Sequence, residues 1–143
     1  MFRNVALSVC LMGGCIWFLG IASRADSAAP DSTIATFKPV SSVPSLMHGQ
    51  GVFWKAIRKE LSRPAGKKRN HEIVEAAEIL AELANVNRYN NPKQDYRAWA
   101  KQLSDQSLEL ASEAKKSDAS DEKMKLLAEK MGATCSACHD VYQ

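Results

Sequence analysis

Outside its first apolar stretch this chain has almost no cysteine. Four occur in 143 residues, and Cys10 and Cys15 fall in that N-terminal segment. With the segment removed, only Cys135 and Cys138 remain, which excludes a disulfide framework in the mature chain. Period-two alternation of any length is also missing, which argues against a sheet. There is no Gly-rich phosphate loop and no nucleophile–base pairing, so no enzyme activity is expected. Neither sign of charge dominates. The 19 basic and 16 acidic residues give a formal net charge of +3, and loss of Arg3 and Arg24 with the N-terminal segment brings the two signs nearly level. The basic stretches have few interleaved aromatics, so nucleic acid is not an expected partner.

What the chain does have is concentrated at its end: Cys135-Ser136-Ala137-Cys138-His139. Cys-x-x-Cys-His is the attachment signature of c-type haem. Each thiol adds across one haem vinyl group to give a thioether, and the adjacent histidine reaches the iron as proximal ligand. On a helix Cys135 and Cys138 are i and i+3, and His139 is i+4 from Cys135. All three then share one face and hold one edge and the centre of a single macrocycle. A zinc site would need a fourth ligand, and a thioredoxin-like motif would need a βαβ setting. Neither is evident, so Cys135 and Cys138 are read as the covalent anchors of one haem c and His139 as its proximal iron ligand.

The N-terminus reads as an export signal. Met1-Phe2-Arg3-Asn4 supplies a positive start, Val5 to Ile21 is uncharged, and Ser23-Arg24-Ala25 fits cleavage after Ala25. An uncleaved anchor is the second reading, since a span needs about 20 apolar residues. Met12-Gly13-Gly14-Cys15 faintly resembles a lipoprotein site, a third reading that the apolar residues after it disfavour. All three put the rest of the chain outside the cytoplasm, in the periplasm or an equivalent compartment, on the membrane only if the segment is uncleaved. Residues 26–42 are rich in Ala, Ser, Thr and Pro and read as a flexible linker. Residues 43–143 make one small domain, whose modest core a covalent haem would enlarge.

Four segments of that domain carry a helical period. The first, from about Pro44 to Leu61, has Leu46, Phe53, Ile57 and Leu61 as its stripe, with Gly49 and Gly51 as its weak point at about 1 kcal/mol each. Either the helix begins only near Val52, or the glycines admit a large flat ligand. After the break at Ser62-Arg63-Pro64-Ala65-Gly66, the second runs from about Asn70 to Asn87 with Ile73, Val74, Ala77, Leu80, Ala81 and Ala84 inward. The third runs from about Pro92 to Lys116 with Tyr96, Trp99, Leu103, Leu110 and Ala114 inward. The fourth runs from about Ser120 to Val141, where Met124, Leu127 and Met131 lead to Cys135 and Cys138. Short connections between four such helices predict an all-α, antiparallel up-down four-helix bundle with the haem on the C-terminal helix.

An exported four-helix chain ending in Cys135-Ser136-Ala137-Cys138-His139-Asp140-Val141-Tyr142 resembles the cytochrome c′ and cytochrome c-556 family. The likeness covers roughly Val43 to Gln143 in layout, and the terminal motif at the level of residues. Gln143 departs from it, since members commonly carry Arg or Lys there. The resemblance implies one of two functions. Cytochrome c-556 types take a methionine from the first helix as sixth ligand and transfer single electrons. Cytochromes c′ have a non-ligating residue there, and their five-coordinate haem binds gases such as NO or CO. Members are often homodimers through their first two helices.

Leu46-Met47-His48 lies in about the right place on the first helix. Met47 is the first choice as distal ligand, because thioether sulfur commonly partners histidine on c-type iron. His48 is the rival, giving bis-histidine ligation. Leu46 facing the iron would leave the site open. Met124 and Met131 read as core, His71 as a surface group, and Trp54, Tyr96 and Trp99 as core or haem-edge packing. Lys55, Arg58, Lys59, Arg63, Lys67, Lys68 and Arg69 cluster, and the following Glu72, Glu75, Glu78 and Glu82 recur at helical spacing. The bland reading is a solvated surface. The functional one is a docking patch for an acidic redox partner protein.

Overall fold

The computed structural model describes residues 37–142. The expected leader with Cys10 and Cys15, the linker before Phe37, and Gln143 lie outside the described residues. The described chain is all helical: α1 Val43–Leu61, α2 Lys67–Asn87, α3 Gln94–Ala114 and α4 Asp121–Tyr142.

α1 and α4 start at side-chain caps, whereas Gly66 and Lys93 before α2 and α3 make none. Ser42, in extended conformation, caps α1 by accepting from Ser45 N–H at 3.4 Å, with Pro44 in the first turn. Arg58 and Lys59 in the last turn of α1 suit the negative end of the helix dipole. Ser120 caps α4, its Oγ accepting from Lys123 N–H at 3.3 Å. Asp121 and Glu122 follow in the first turn. Two starts differ from the periodicity reading. α2 begins at Lys67 rather than Asn70, because Asn70 N–H already bonds back to Gly66 O at 3.0 Å. α3 begins at Gln94 rather than Pro92, because Asn91 Oδ1 takes the Lys93 N–H at 3.0 Å and holds that stretch as a turn.

α1 is regular through both of its glycines. A Cβ on Gly49 would lie 3.1 Å from Leu83 Cδ1, so this glycine lets α1 close on α2. A Cβ on Gly51 would meet nothing within 4 Å. The tolerated helix penalty of about 1 kcal/mol per glycine is thus matched by close packing at Gly49 and by open space at Gly51.

α2 is the most heavily packed helix, against α3 and then α1, while α4 leans on α3 and touches α1 sparingly. Ile57, Ile73, Leu80, Leu110, Met124, Leu127 and Met131 are the large side chains removed from water. Each contributes about 1.5–3 kcal/mol. Met124 and Met131 are thus core, as their spacing suggests. Polar groups seal the end of this core where α2 and α4 begin. Arg69 is 3% exposed and forms an ion pair with Asp121, its Nη1 donating to Oδ2 at 2.9 Å and to Arg63 O at 3.2 Å. Glu113 accepts from Lys116 Nζ at 2.7 Å and from Ser120 N–H at 3.2 Å, and pairs with Lys123. Arg69 therefore leaves the basic cluster: its guanidinium is spent inside the fold.

Candidate functional site

The C-terminal part of α4 carries the cysteine–histidine motif to one end of the helices. Cys138 is buried, and Cys135 and His139 are half-buried. All three line a cavity of about 30 Å3 together with Met47 of α1, Asn87 of α2 and Tyr96 of α3. A second, more apolar cavity of about 110 Å3 shares Met47, Leu103, Cys135 and His139 and adds Gly51, Trp54 and Leu80. Each is smaller than a cofactor pocket, so a large group held here would have to part the walls. Every helix contributes to the walls, so the cavity exists only in the folded chain.

The three candidates for the distal position separate. Met47 is half-buried and lines both cavities. His48 is exposed and lies in neither wall, and Leu46 is buried elsewhere in the packing. Gly51, one turn from Met47, gives the second cavity a wall without a side chain. Trp54 is half-buried in the wall of this second cavity, and Trp99 is half-buried in that of the first. His71 is on the surface, 3.2 Å from Glu75.

Sequence reasoning missed the polar part of the lining. Gln50 is buried, with Nε2 donating to Leu83 O at 3.3 Å. Asn87 Oδ1 accepts from Tyr96 OH at 2.9 Å. Thr134 Oγ1 lies 3.0 Å from Gln106 Oε1 and 3.1 Å from Lys130 O. The one available signal was spacing, since Gln50 is i+3 from Met47 and Thr134 adjoins Cys135. Asn87 read only as a helix end.

The last turn of α4 is tied down. Tyr142 OH donates to Asp95 Oδ1 at 2.6 Å, and its ring meets Tyr96 and Trp99 edge-on at 5.2 and 6.1 Å. The hydrogen bond to Asp95 pushes the Tyr142 hydroxyl up to about 12 and holds the Asp95 carboxyl below its usual range.

Burial pushes both cysteine thiols up from their ordinary value, with Cys138 adding to the effect on Cys135 and Asp95 to that on Cys138. Reactive redox cysteines show the opposite shift, typically at a helix N-terminus. Here the thiols sit near a helix C-terminus, whose partial negative charge also disfavours thiolate. Among the described residues no three His, Cys, Asp or Glu side chains are grouped as a metal ion would need, so the motif does not have the shape of a Cys/His zinc site. The donor set does fit haem c. Two neutral thiols and an imidazole lie on one wall, a thioether on another, and apolar and aromatic side chains between.

No family model, curated protein or solved structure matches the chain. Its function must be read from these residues and their arrangement.

Proposed function

We propose that this chain is an exported monohaem c-type cytochrome that carries single electrons, similar to the cytochrome c-556 branch of the cytochrome c′ family. In this reading its helices form an antiparallel up-down bundle. Haem c is bonded through Cys135 and Cys138, with His139 as proximal and Met47 as distal ligand. The observation that carries it is that Met47 and the Cys135–Cys138–His139 motif, almost ninety residues apart in sequence, line the same cavity. In an antiparallel order the start of α1 would lie beside the end of α4.

The bound group would supply a one-electron iron couple. The chain's own residues do the rest. The two cysteines fix the ring's edge, and His139 on the same turn fixes the centre. Tyr142, held by Asp95, keeps that turn against α3. Leu80, Leu103 and Trp54 keep water from the second cavity. A soft thioether from Met47 raises the potential relative to a second imidazole. Export supplies the compartment in which c-type haem is attached. Among the described residues no helix is long and apolar enough to cross a membrane.

The test is the absorption spectrum of protein matured with a c-type haem assembly system, recorded oxidised, reduced, and reduced with CO. A low-spin spectrum with a methionine–iron charge-transfer band and little CO response is expected. A high-spin reduced spectrum that responds fully to CO would replace electron transfer with gas binding at a five-coordinate haem.

A further inference from the structure

Trp54 faces two spaces. It lines the inner cavity with Met47, Cys135 and His139, and it also lines a surface groove of about 440 Å3 where α1 and α4 touch only sparingly. A Cβ on Gly132 would lie 3.4 Å from Trp54 Cζ2, so the indole rests close against α4 three residues before Cys135. The groove floor is apolar, from Leu61 and Ala128. Its rim carries Arg58 from α1 and Lys125 from α4, both exposed, against one acid, Glu129. Neither cation forms an ion pair with another described residue. Lys55 and Lys59, exposed on the same helix, extend the positive charge. The basic cluster legible in the sequence therefore divides. Arg69 is buried, Arg63 pairs with Glu60 at 2.8 Å, Lys67 and Lys68 belong to the start of α2, and Arg58 alone of the cluster lines the groove that Trp54 shares with the cavity.

We propose that the α1–α4 groove is the docking site for a one-electron partner protein with carboxylates around its redox centre, and that Trp54 is the contact between the docked partner and the cavity. The assignment rests on the haem reading above. Unpaired cations beside an apolar floor favour an anionic partner by steering and by charge complementarity. One electron passes between the haem iron and the partner's one-electron centre, so the oxidation of one equals the reduction of the other, and no proton or bond changes hands.

The experiment begins with the matured protein, in which covalent haem is first measured after denaturation. Its absence would sink the proposed function by itself, while the anion map below is still read on the folded chain. Tris(oxalato)chromate(III), a redox-inert paramagnetic anion, is then titrated while amide and indole NMR signals are followed. Broadening is expected at Arg58, Lys125, Ala128 and the Trp54 indole N–H. It should disappear in the Arg58→Glu/Lys125→Glu double variant and persist in Lys67→Glu/Lys68→Glu. Electron exchange with hexacyanoferrate should fall about tenfold in the first pair and stay within about twofold in the second. Trp54→Leu should keep the broadening at Arg58 and Lys125 but slow the exchange. Broadening centred on Lys67 and Lys68, or spread evenly over the surface, would overturn the docking site. An unchanged exchange rate in Trp54→Leu would overturn the role of the indole.

Discussion

The two ends of this helical domain are built from the same heptad-like spacing and come to opposite results. Where α2 and α4 begin, Ile73, Ala114 and Met124 fill the interior, and the Arg69–Asp121 pair and the Glu113 cluster close it. At the other end, Met47 of α1, Leu103 of α3, and Cys135 and Cys138 of α4 surround a cavity. Buried polar side chains also differ in kind. At the closed end they are ionic and satisfied by one another. At the cavity they are neutral, as with Gln50, Asn87 and Thr134. Charge closes the first end, whereas neutral amides and hydroxyls line the cavity, where an apolar group could enter without trapping an unpaired ion.

The sharpest break between the ends comes from the motif. Cys135→Ser with Cys138→Ser should abolish covalent haem entirely, seen as loss of the haem-stained band on a denaturing gel. Retention of that band would sink the haem assignment. Next in size, Ile73→Ala at the closed end should cost about 2–5 kcal/mol in urea unfolding and leave the spectrum of the folded protein unchanged. Met47→Ala at the cavity should do the reverse, with a smaller loss of stability and a change from low-spin to high-spin, CO-reactive haem. An unchanged spectrum and CO affinity would remove Met47 from the iron.

Acid should weaken the closed end. Hydrogen bonds from Lys116 and then Lys123 lower the Glu113 carboxyl from 4.5 to about 2. A depressed carboxyl contributes stability above its unfolded value, and that contribution is lost as pH falls through the folded one. Stability should therefore decline between about pH 4.5 and 2, and Glu113→Gln should flatten that part of an acid-unfolding profile. If the variant follows the wild-type curve throughout, the cluster is not a stabilising device. The smallest effect is expected from Tyr142→Phe. Tyr142 is held near 12 by its bond to Asp95, so its contribution is present below the ordinary tyrosine value and lost as pH rises through 12. The variant should lose a little stability in urea unfolding at neutral pH, and should lack the alkaline loss when that unfolding is repeated across pH.

Much of this was legible from spacing. All six residues expected inward on α2 are buried, because small and aliphatic side chains at i, i+3 and i+4 have one stable place to go. The union of Cys135, Cys138 and His139 on one face needed nothing beyond one helical turn. Phase and partners were not legible. Leu46, Met47 and His48 are successive residues about 100° apart on α1, and only the docking of α1 on α2, through Gly49 against Leu83, turns Met47 to the cavity and His48 to solvent. Arg69 looked like one of seven surface cations until α4 brought Asp121 beside it, because an ion pair across fifty-two residues leaves no local pattern. Gln50, Asn87 and Thr134 were invisible for the same reason, since a polar residue inside a helix reads as surface unless a distant neighbour buries it. The sequence by itself determined the helices and the chemistry of the C-terminal motif, both set by neighbours within a turn or two. The tertiary structure alone decided which side chains meet that motif and where charge is buried, because those contacts depend on the rotation of one helix against another.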